Sequence, residues 1–245
     1  MSSVVVTGAA KGIGAAIAES FANAGWSVVA VDRDAGALRA TAARLDGGVL
    51  TLAGDVAERA TNETAVRTAV ERFGGLDAAV GNAGVTLPKL IDDTSPEEFD
   101  RLFTVNVKAL MYLAQAAHRA LAKSKGSLTV IASKTGLVAQ RNSPIYVATK
   151  GAAVQLARAL ALDWAPEGIR VNAVCPGIVD TPMLKQFIDA MPDPAESRRE
   201  HETAQPLGRL ATPAECAAAV LFLSSPAASF ITGVALPVDG GFTAA

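Results

Sequence analysis

Apolar residues in this chain occur in short, nearly uninterrupted runs that alternate with longer stretches of helical periodicity. The short runs predict strands at 4–8, 28–32, 48–55, 76–84, 127–133, 169–177 and 234–241. Such runs are typical of strands that are buried on both faces. The stretches between them predict helices near 14–24, 35–45, 61–73, 96–121, 145–165 and 213–223. This alternation predicts an α/β fold, with a doubly wound, seven-stranded parallel sheet and helices on both of its faces.

Two of the helix starts are visible in the sequence itself. Ser95-Pro96-Glu97-Glu98 and Thr212-Pro213-Ala214-Glu215 each combine a capping residue, a proline in the first turn and a glutamate three residues after the cap. This combination is the pattern of a capping box with an N-terminal proline. We therefore interpret Glu97 and Glu98 as part of a helix N-terminus and not as a pair of catalytic carboxylates.

The least regular part of the chain is the stretch 182–206, which is charged and contains several prolines. It predicts an excursion from the core, and such loops often form lids over a site. A chain of 245 residues, half of them apolar, is long enough to bury one large core. We therefore expect a single domain over 1–245, with a lid at about 182–206.

Composition argues against several classes of function. The net charge of −2 and the lack of a basic stripe argue against a nucleic-acid surface. His118 and His201 are not grouped with carboxylates, so no metal site is expected. Cys175 and Cys216 have neither disulfide nor metal spacing, and Cys175 is expected to be a small buried side chain. With no apolar run of membrane-spanning length and no room for a signal peptide, we expect a soluble, cytoplasmic protein.

Three glycines follow the first predicted strand, in the run TGAAKGIG at 7–14. Gly8, Gly12 and Gly14 lie where a strand gives way to a helix, so backbone amides there can approach a pyrophosphate. Their spacing differs from the G-x-G-x-x-G pattern, and a simple tight turn is the alternative. Their position after the first strand of an α/β pattern nevertheless favours nucleotide binding in a Rossmann-like fold.

Asp32 ends the second predicted strand, where a carboxylate can hold the adenosine ribose hydroxyls. Its charge disfavours a 2′-phosphate, because an anion held unpaired beside a carboxylate is costly. Lys11 and Arg33 favour NADP instead, since a cation near that pocket accepts the phosphate. We give Asp32 the greater weight and expect NAD as the cofactor.

Tyr146 and Lys150 occupy positions i and i+4 of a predicted helix and therefore share one face. A nearby positive charge lowers a tyrosine pKa from its usual value of about 10. A tyrosine tuned in this way can act as a general acid or base toward an alcohol or ketone oxygen, and Ser133 lies upstream. The alternative is an incidental pair on a surface helix.

Together these motifs resemble the short-chain dehydrogenase/reductase family, in its branch of single-domain chains of about this length. The resemblance covers the whole chain. It rests on TGAAKGIG at 7–14, Asp55-Val56, GNAG at 81–84, TVNV around Asn106, IAS ending at Ser133, YVATK at 146–150, NAVCPGIVDTPM at 172–183 and ITGVALPVDGG at 231–241. Eight motifs in a compatible order are specific, although each one alone is not.

The resemblance implies an NAD(H)-dependent oxidoreductase that transfers a hydride between nicotinamide and a secondary alcohol or ketone, with small alcohols, polyols, sugars or hydroxyacyl derivatives as substrates. Tyr146 would exchange the proton with the substrate oxygen, and Ser133 would hydrogen-bond that oxygen. Lys150 would lower the pKa of Tyr146 and hold the nicotinamide ribose. Asn106 would hold a water that links Lys150 to solvent.

The resemblance also implies a set of cofactor contacts. They are Gly8, Lys11, Gly12, Ile13, Gly14, Asp32, Arg33, Asp55, Val56, Asn82, Ala83, Gly84, Tyr146, Lys150, Pro176, Gly177, Val179 and Thr181. Three of the motifs that carry the resemblance also have simpler structural interpretations. Asn82–Gly84 could be a turn with a positive φ at Gly84, Asn106 could satisfy a buried backbone group, and Thr181-Pro182 could be only a helix cap.

Substrate contacts are expected from Ser133, Gln140, Arg141 and Tyr146, together with the lid. Lys134 and Arg141 could favour an anionic substrate such as a carboxylate or phosphate. We prefer the interpretation that both are solvated charges at the rim of the pocket.

An alternative function is an NADP(H)-dependent 3-oxoacyl-thioester reductase, which would use the same catalytic residues. A more remote one is a non-catalytic, nucleotide-sensing regulator. The family resemblance also implies a homotetramer, with a contact through the helix at 145–165 and its small residues Gly151, Ala152 and Ala153. The alternative is that this helix is buried within its own domain.

Overall fold

The computed structural model describes residues 2–45, 48–189, 191 and 193–244. Its strands form one seven-stranded sheet in the order β3-β2-β1-β4-β5-β6-β7, and every neighbouring pair is parallel. The strands are β1 Ser3–Thr7, β2 Ser27–Asp32, β3 Val49–Ala53, β4 Ala78–Gly81, β5 Ser127–Ile131, β6 Arg170–Pro176 and β7 Ala235–Val238. The predicted fold class is confirmed.

Helices cover both faces of this sheet. They are α1 Gly12–Asn23, α2 Ala35–Ala42, α3 Arg59–Phe73, α4 Pro96–Phe103, α5 Ala109–Ser124, α6 Pro144–Trp164, α7 Pro182–Asp189, α8 Pro194–Thr203 and α9 Pro213–Ser224. Successive strand residues point to opposite faces, so each strand serves two cores. Val5 packs into the core beneath α3, α5 and α6, whereas Val4 and Val6 pack into the core beneath α1, α2 and α9.

The order of the strands positions the site. From β1 the chain builds outward to β2 and β3 on one side, then returns to place β4 on the other side of β1. At such a reversal the connections after the two strands leave in opposite directions and open a crevice at the carboxyl edge of the sheet. The loops after β1 and β4 meet in this crevice.

Both predicted capping boxes are present. The Ser95 hydroxyl accepts from the Glu98 amide and the Glu98 carboxylate accepts from the Ser95 amide, at 3.2 and 2.9 Å. Thr212 and Glu215 make the same reciprocal pair at the start of α9. The interpretation of Glu97 and Glu98 as a helix N-terminus is therefore confirmed.

The structure corrects two helix predictions. The helix expected over 96–121 is divided by a π-helical turn, Thr104–Lys108, that contains Asn106. The stretch 182–206, expected to be irregular, contains α7 and α8, although Ala190 and Pro192 of this proposed lid lie outside the described residues. The helix α8 also begins with a side-chain cap, because Asp193 accepts from the Glu196 amide at 2.9 Å and is followed by a proline.

The strand expected over 76–84 is shorter, Ala78–Gly81. It ends where the Thr7 hydroxyl replaces a strand partner and accepts from the amides of Asn82 and Ala83, at 3.0 and 3.2 Å. The residues after Gly81 therefore turn toward β1 instead of continuing the ladder.

Within the described ranges, no helix has the length and apolar content needed to cross a membrane. The same residues contain no group of three or more His, Cys, Asp and Glu side chains placed to hold a metal ion. Cys175 and Cys216 are both buried and free, as expected for Cys175.

Candidate active site

The residues singled out from the sequence lie around the carboxyl edge of the sheet. The glycine loop follows β1, Asn82–Gly84 follow β4, Ser133 follows β5, and Pro176–Thr181 end and follow β6. Tyr146 and Lys150 lie in the first turns of α6. Parallel strands that end at one edge thus bring together side chains that are far apart in the sequence.

The glycine loop has no room for side chains at Gly8 and Gly14. Gly8 has φ +66°, and a Cβ there would lie 2.8 Å from the Cα of Ala83. A Cβ on Gly14 would collide with the carbonyl oxygen of Gly8 and with Nδ2 of Asn82. Asn82 Nδ2 donates to the carbonyls of Thr7 and Gly8, at 2.9 and 3.1 Å. The loops after β1 and β4 are therefore locked together backbone to backbone.

This loop leads directly into the N-terminus of α1, which begins at Gly12. Lys11 is the N-cap residue and makes no side-chain capping bond, so the first amides of the helix lack an intrahelical or side-chain partner. Amides in this state, at the positive end of a helix, fit the phosphates of a dinucleotide. Gly12 has φ +55°, and a Cβ there would meet Cγ2 of Thr181 at 3.3 Å. The next residue of α1, Ile13, packs against the core beneath this helix.

Asp32 lies at the end of β2, next to the same loop. Its Oδ2 accepts from the Ala10 amide and its Oδ1 from the Asp34 amide, both at 3.0 Å. Each carboxylate oxygen keeps acceptor capacity, which fits a pair of ribose hydroxyls. Lys11 pairs with Asp34 at 2.8 Å, and Arg33 is exposed. The charge of Lys11 is therefore partly neutralised within the loop.

The Asp55-Val56 pair follows β3 on the same side. Gly54 donates its amide to the Asp32 carbonyl at 2.9 Å, which holds the end of β3 beside the end of β2. Asp55 is exposed and accepts from the Ala57 amide, whereas Val56 is buried. Their position beyond Asp32 fits an adenine ring.

Thr7 is a site residue that the sequence analysis missed. It is buried, donates its hydroxyl to the Val80 carbonyl at 3.2 Å and accepts from two amides after β4. It orients Asn82 and Ala83 without facing the crevice itself. The signal was available, since a threonine that directly precedes the first glycine of a phosphate loop ends a buried strand with a polar side chain.

Asn106 lies in the π-helical turn and is 1 % exposed. Its Oδ1 accepts from the Val85 amide at 2.8 Å, and its Nδ2 donates to the Val85 carbonyl at 2.9 Å and to Thr149 at 3.0 Å. These bonds match the simpler interpretation of Asn106, which satisfies buried backbone groups. Single π-turns inside helices are frequent at functional sites, because they aim a side chain that a regular helix would point elsewhere.

Gly84 explains how Asn106 and Lys150 approach each other. The alternative that Gly84 supplies a positive φ is wrong, since Gly84 is not among the residues with positive φ. Instead, a Cβ on Gly84 would lie 3.3 Å from Oδ1 of Asn106 and 3.5 Å from Nζ of Lys150. The missing side chain leaves space for both polar groups.

Lys150 reaches across the end of β5. Its Nζ donates to the Ile131 carbonyl at 3.0 Å, and the side chain is buried. Burial lowers the pKa of Lys150 to about 8. At pH 7 the ammonium still outnumbers the neutral amine by roughly ten to one, because one pH unit is tenfold in this ratio.

Ser133 is buried and follows β5 by two residues. Its Oγ accepts from the amide and the hydroxyl of Thr135, at 3.2 and 3.0 Å. With both contacts used as acceptor, the hydroxyl hydrogen of Ser133 is left to donate. Thr135 therefore orients the Ser133 hydroxyl as a donor. Thr135 is a second site residue that the sequence analysis missed.

In the protein by itself the pKa of Tyr146 is raised, although Lys150 was expected to lower it. Burial raises the pKa of Tyr146, and a hydrogen bond with Ser133 offsets this only in part. The Lys150 ammonium lies 5.8 Å from the centroid of the tyrosine ring. At neutral pH Tyr146 therefore carries its proton and is in the state of a general acid.

The segment Pro176–Thr181 is held on several sides. The Gly177 amide donates to the Val238 carbonyl at 2.9 Å, and Val179 forms a parallel bridge with Ala211. Thr181 accepts from the Leu184 amide at 3.3 Å and so caps α7, which is the simpler interpretation of this residue. That role leaves its methyl group against Gly12.

Lys134 is not a solvated rim charge, and that prediction was wrong. It is 7 % exposed, and its Nζ lies 3.2 Å from the centroid of the Phe242 ring. Burial lowers the pKa of Lys134 to about 8, which the negative charge of Asp239 partly opposes. Arg141 and Gln140 are exposed, as the rim interpretation expected for Arg141. The C-terminal turn after β7 therefore covers Lys134, a contact that no local pattern in the sequence indicates.

Comparison with known proteins matches residues 8–243 to the family model described as enoyl-(acyl carrier protein) reductase. The mouse L-fucose dehydrogenase is 42% identical over 239 residues, covering 97% of this chain and 87% of that protein. The cis-4-hydroxycyclohexanecarboxylate dehydrogenase of Sinomonas cyclohexanicum is 38% identical, covering 98% and 96%. The crystal structure of the 3-ketoacyl-(acyl-carrier-protein) reductase from Brucella melitensis, complexed with NADH, superposes with a TM-score of 0.91 at 35% identity, covering 99% and 98%.

The buried Lys134 leads to a prediction about stability. Its pKa is about 8 in the folded protein and 10.5 ordinarily, so the unfolded chain binds more protons between these values and stability rises with pH across that window. Below about pH 8 the desolvation cost is complete. We expect Lys134→Met to raise the Tm at pH 7 by about 2–4 °C, equivalent to about 1 kcal/mol for a chain of this size, and by less near pH 10.

Thermal unfolding followed by circular dichroism at pH 7 and pH 10 measures this effect. Arg141→Met, an exposed cation in the same loop, is the matched control and should leave the Tm unchanged at both pH values. A lower Tm for Lys134→Met at pH 7 would mean that the Phe242 contact outweighs the desolvation of the ammonium.

Proposed function

Since the chain belongs to the short-chain dehydrogenase/reductase family and is an oxidoreductase of CH–OH donors, we propose that it interconverts a secondary alcohol and its ketone with NAD(H). The observation that carries this proposal is the convergence of Ser133, Tyr146 and Lys150 at the carboxyl end of β5, beside the crevice between β1 and β4. When bound there, the nicotinamide supplies the hydride chemistry.

The protein's own residues handle the proton and the substrate oxygen. The Ser133 hydroxyl, aimed by Thr135, donates to the substrate oxygen and polarises the carbonyl. Tyr146, kept protonated by its raised pKa, gives its proton to that oxygen in reduction. In oxidation Tyr146 first releases its proton to the relay toward solvent and then, as the phenolate, receives the proton of the alcohol. Lys150 supplies a buried ammonium that binds ribose hydroxyls, and Asn106 holds the water through which the proton reaches solvent.

The proposed cofactor contacts follow the geometry of the crevice. The glycine loop, with Gly8, Gly12, Ile13 and Gly14, takes the pyrophosphate, while Lys11 and Arg33 flank the ribose pocket of Asp32. Asp55 and Val56 meet the adenine, Asn82, Ala83 and Gly84 line the adenosine side, and Pro176, Gly177, Val179 and Thr181 hold the carboxamide. The ion pair of Lys11 with Asp34 supports NAD over NADP, because it leaves less positive charge for a 2′-phosphate.

The proposed proton exchange at Tyr146 predicts the effect of removing its hydroxyl. Tyr146→Phe removes the hydroxyl and keeps the ring, so we expect kcat to fall by roughly 10²–10⁴-fold, the usual contribution of a general acid or base. Binding of NADH, measured by fluorescence titration, should change little. Tyr112→Phe alters the other of the chain's two tyrosines and should keep wild-type kcat. Wild-type turnover by Tyr146→Phe would refute the proposed mechanism.

The proposed role of Asp32 predicts a change in cofactor preference when its carboxylate is removed. Asp32→Ser removes the carboxylate that repels a 2′-phosphate, so the ratio of kcat/KM for NADP to that for NAD should rise roughly 10–100-fold, or about 1.4–2.8 kcal/mol. Absorbance at 340 nm with both cofactors measures the ratio. Asp100→Ser, an exposed carboxylate on α4, is the control. An unchanged ratio for Asp32→Ser would show that Asp32 does not select the cofactor.

The proposed substrate pocket lies next to Ser133 and Tyr146. Gln140 and Arg141 form one side of it, and a lid at about 182–206 of this single domain forms the other. Arg141 is exposed, so its charge is available to an anionic substrate, whereas Lys134 is covered by Phe242. One relative is named for a hydroxycyclohexanecarboxylate, a secondary alcohol that carries such an anion. Turnover measured with a panel of neutral and acidic alcohols, and with a 3-oxoacyl thioester for the alternative function, distinguishes these substrate classes.

We also propose a homotetramer and a cytoplasmic location. The outer face of α6 carries Leu162, 79% exposed, and Gly151, whose missing side chain faces open space. The neighbouring α5 exposes Met111. An exposed leucine, beside a glycine that leaves room for close approach, suits a helix contact between subunits. Light scattering should therefore report about four times the chain mass of 25.0 kDa, and a single-chain mass would refute this assembly.

A further inference from the structure

A buried amide fastens the loop that ends β6. Gln205 follows α8 and is 1 % exposed. Its Oε1 accepts from the Ile178 amide at 2.8 Å, and its Nε2 donates to the carbonyls of Ile178 and Arg209, at 3.2 and 2.7 Å. The side chain thus bonds both the N–H and the C=O of one residue, as a residue of a neighbouring strand would.

Ile178 lies in the middle of the segment Pro176–Thr181, and the fit there is tight. A Cβ on Gly177 would collide with Oε1 of Gln205 and lie 2.7 Å from the Cα of Asp239. The Ile178 carbonyl also accepts from the Ala211 amide at 3.0 Å, so it keeps a partner if Gln205 is changed. The Ile178 amide, in contrast, has Gln205 as its partner among the described residues.

This asymmetry identifies what Gln205 does. Without it, the Ile178 N–H loses its bond and the space beside Gly177 opens, so the backbone of the segment is free to shift. The residues on either side of Ile178 are those proposed to hold the nicotinamide carboxamide. An error of about 1 Å in such a positioning segment can cost a large factor in rate or affinity.

We propose that Gln205 is a positioning residue for the cofactor, acting through the Ile178 backbone to hold Pro176–Thr181 against the nicotinamide. This inference rests on the proposed function, because it requires that a dinucleotide binds in the crevice. Gln205 also joins the end of the proposed lid to the cofactor segment, through its bonds with Ile178.

The test compares Gln205 with a matched buried amide. Asn172, 0% exposed near the amino end of β6, also bonds one amide and one carbonyl of the backbone: it accepts from Val234 at 3.1 Å and donates to Ile231 at 2.9 Å. Gln205→Met keeps the volume of the side chain and removes its hydrogen bonds. Gln205→Asn keeps the amide and withdraws it by one methylene. Asn172→Leu is the corresponding change away from the crevice.

For both Gln205 variants we expect the Kd for NADH and the KM for NAD to rise about tenfold, the effect of about 1.4 kcal/mol, close to the net contribution of one hydrogen bond. At saturating NAD, kcat should fall less than threefold. Asn172→Leu should lower the Tm and leave the Kd within twofold of wild type. If Gln205→Met does not fold, Gln205→Asn carries the comparison.

Each other result has a distinct meaning. Unchanged Kd and KM in the Gln205 variants overturn the inference. The proposed function is unaffected by that result as long as the wild-type protein binds NADH. An equal rise of Kd in Asn172→Leu also overturns it, because the effect then reflects general loss of stability. A wild-type protein that binds neither NADH nor NADPH overturns the proposed function, and the inference with it.

Discussion

The structure of the site depends on the contact between the backbone after β1 and the backbone after β4. Gly14 leaves no space for a side chain between the Gly8 carbonyl and the Asn82 amide, and a Cβ on Gly8 would lie 2.8 Å from the Cα of Ala83. The Thr7 hydroxyl and the Asn82 side chain fill the remaining polar positions of the junction. Because β1 and β4 are the strands at which the sheet order reverses, this contact sets the width of the crevice. The N-terminus of α1 and the turn that approaches Lys150 are both placed by it.

The electrostatics of the catalytic edge follow from burial. Lys150 is taken out of water and hydrogen-bonded to a carbonyl at the end of β5, and Lys134, next to Ser133, is covered by Phe242. A buried ammonium without a close carboxylate is costly, and both lysines respond with a lowered pKa. The same burial raises the pKa of Tyr146. A low-dielectric environment therefore keeps the tyrosine protonated in the protein by itself, and any ionisation of Tyr146 needs stabilisation from what binds in the crevice.

The parts that could be predicted from sequence are those with a local cause. Buried strands, the glycine loop and the caps at Ser95 and Thr212 each follow from neighbouring residues. The cap Asp193-Pro194-Ala195-Glu196 has the same form as those two and could have revealed α8. The π-turn at Asn106 could not, since it depends on Val85, twenty-one positions away. The burial of Lys134 depends on the C-terminal Phe242, and the role of Gln205 on Ile178. Sequence spacing alone contains no record of these contacts.

The same division explains why the reaction can be inferred and the substrate cannot. Ser133, Asn106 and Lys150 are buried and tied to backbone groups of the sheet edge, so their positions follow from the fold. Gln140 and Arg141 are exposed, and hydrogen bonds of Thr181, Asp180 and Gln205 hold the ends of α7 and α8. A pocket formed on one side by fixed groups and on the other by loosely attached ones can change its substrate without disturbing its chemistry. Thr181 is the point where these two sides meet, because it caps α7 and packs against Gly12 of the phosphate loop. Thr181 therefore connects the proposed cofactor site with the proposed lid through one side chain.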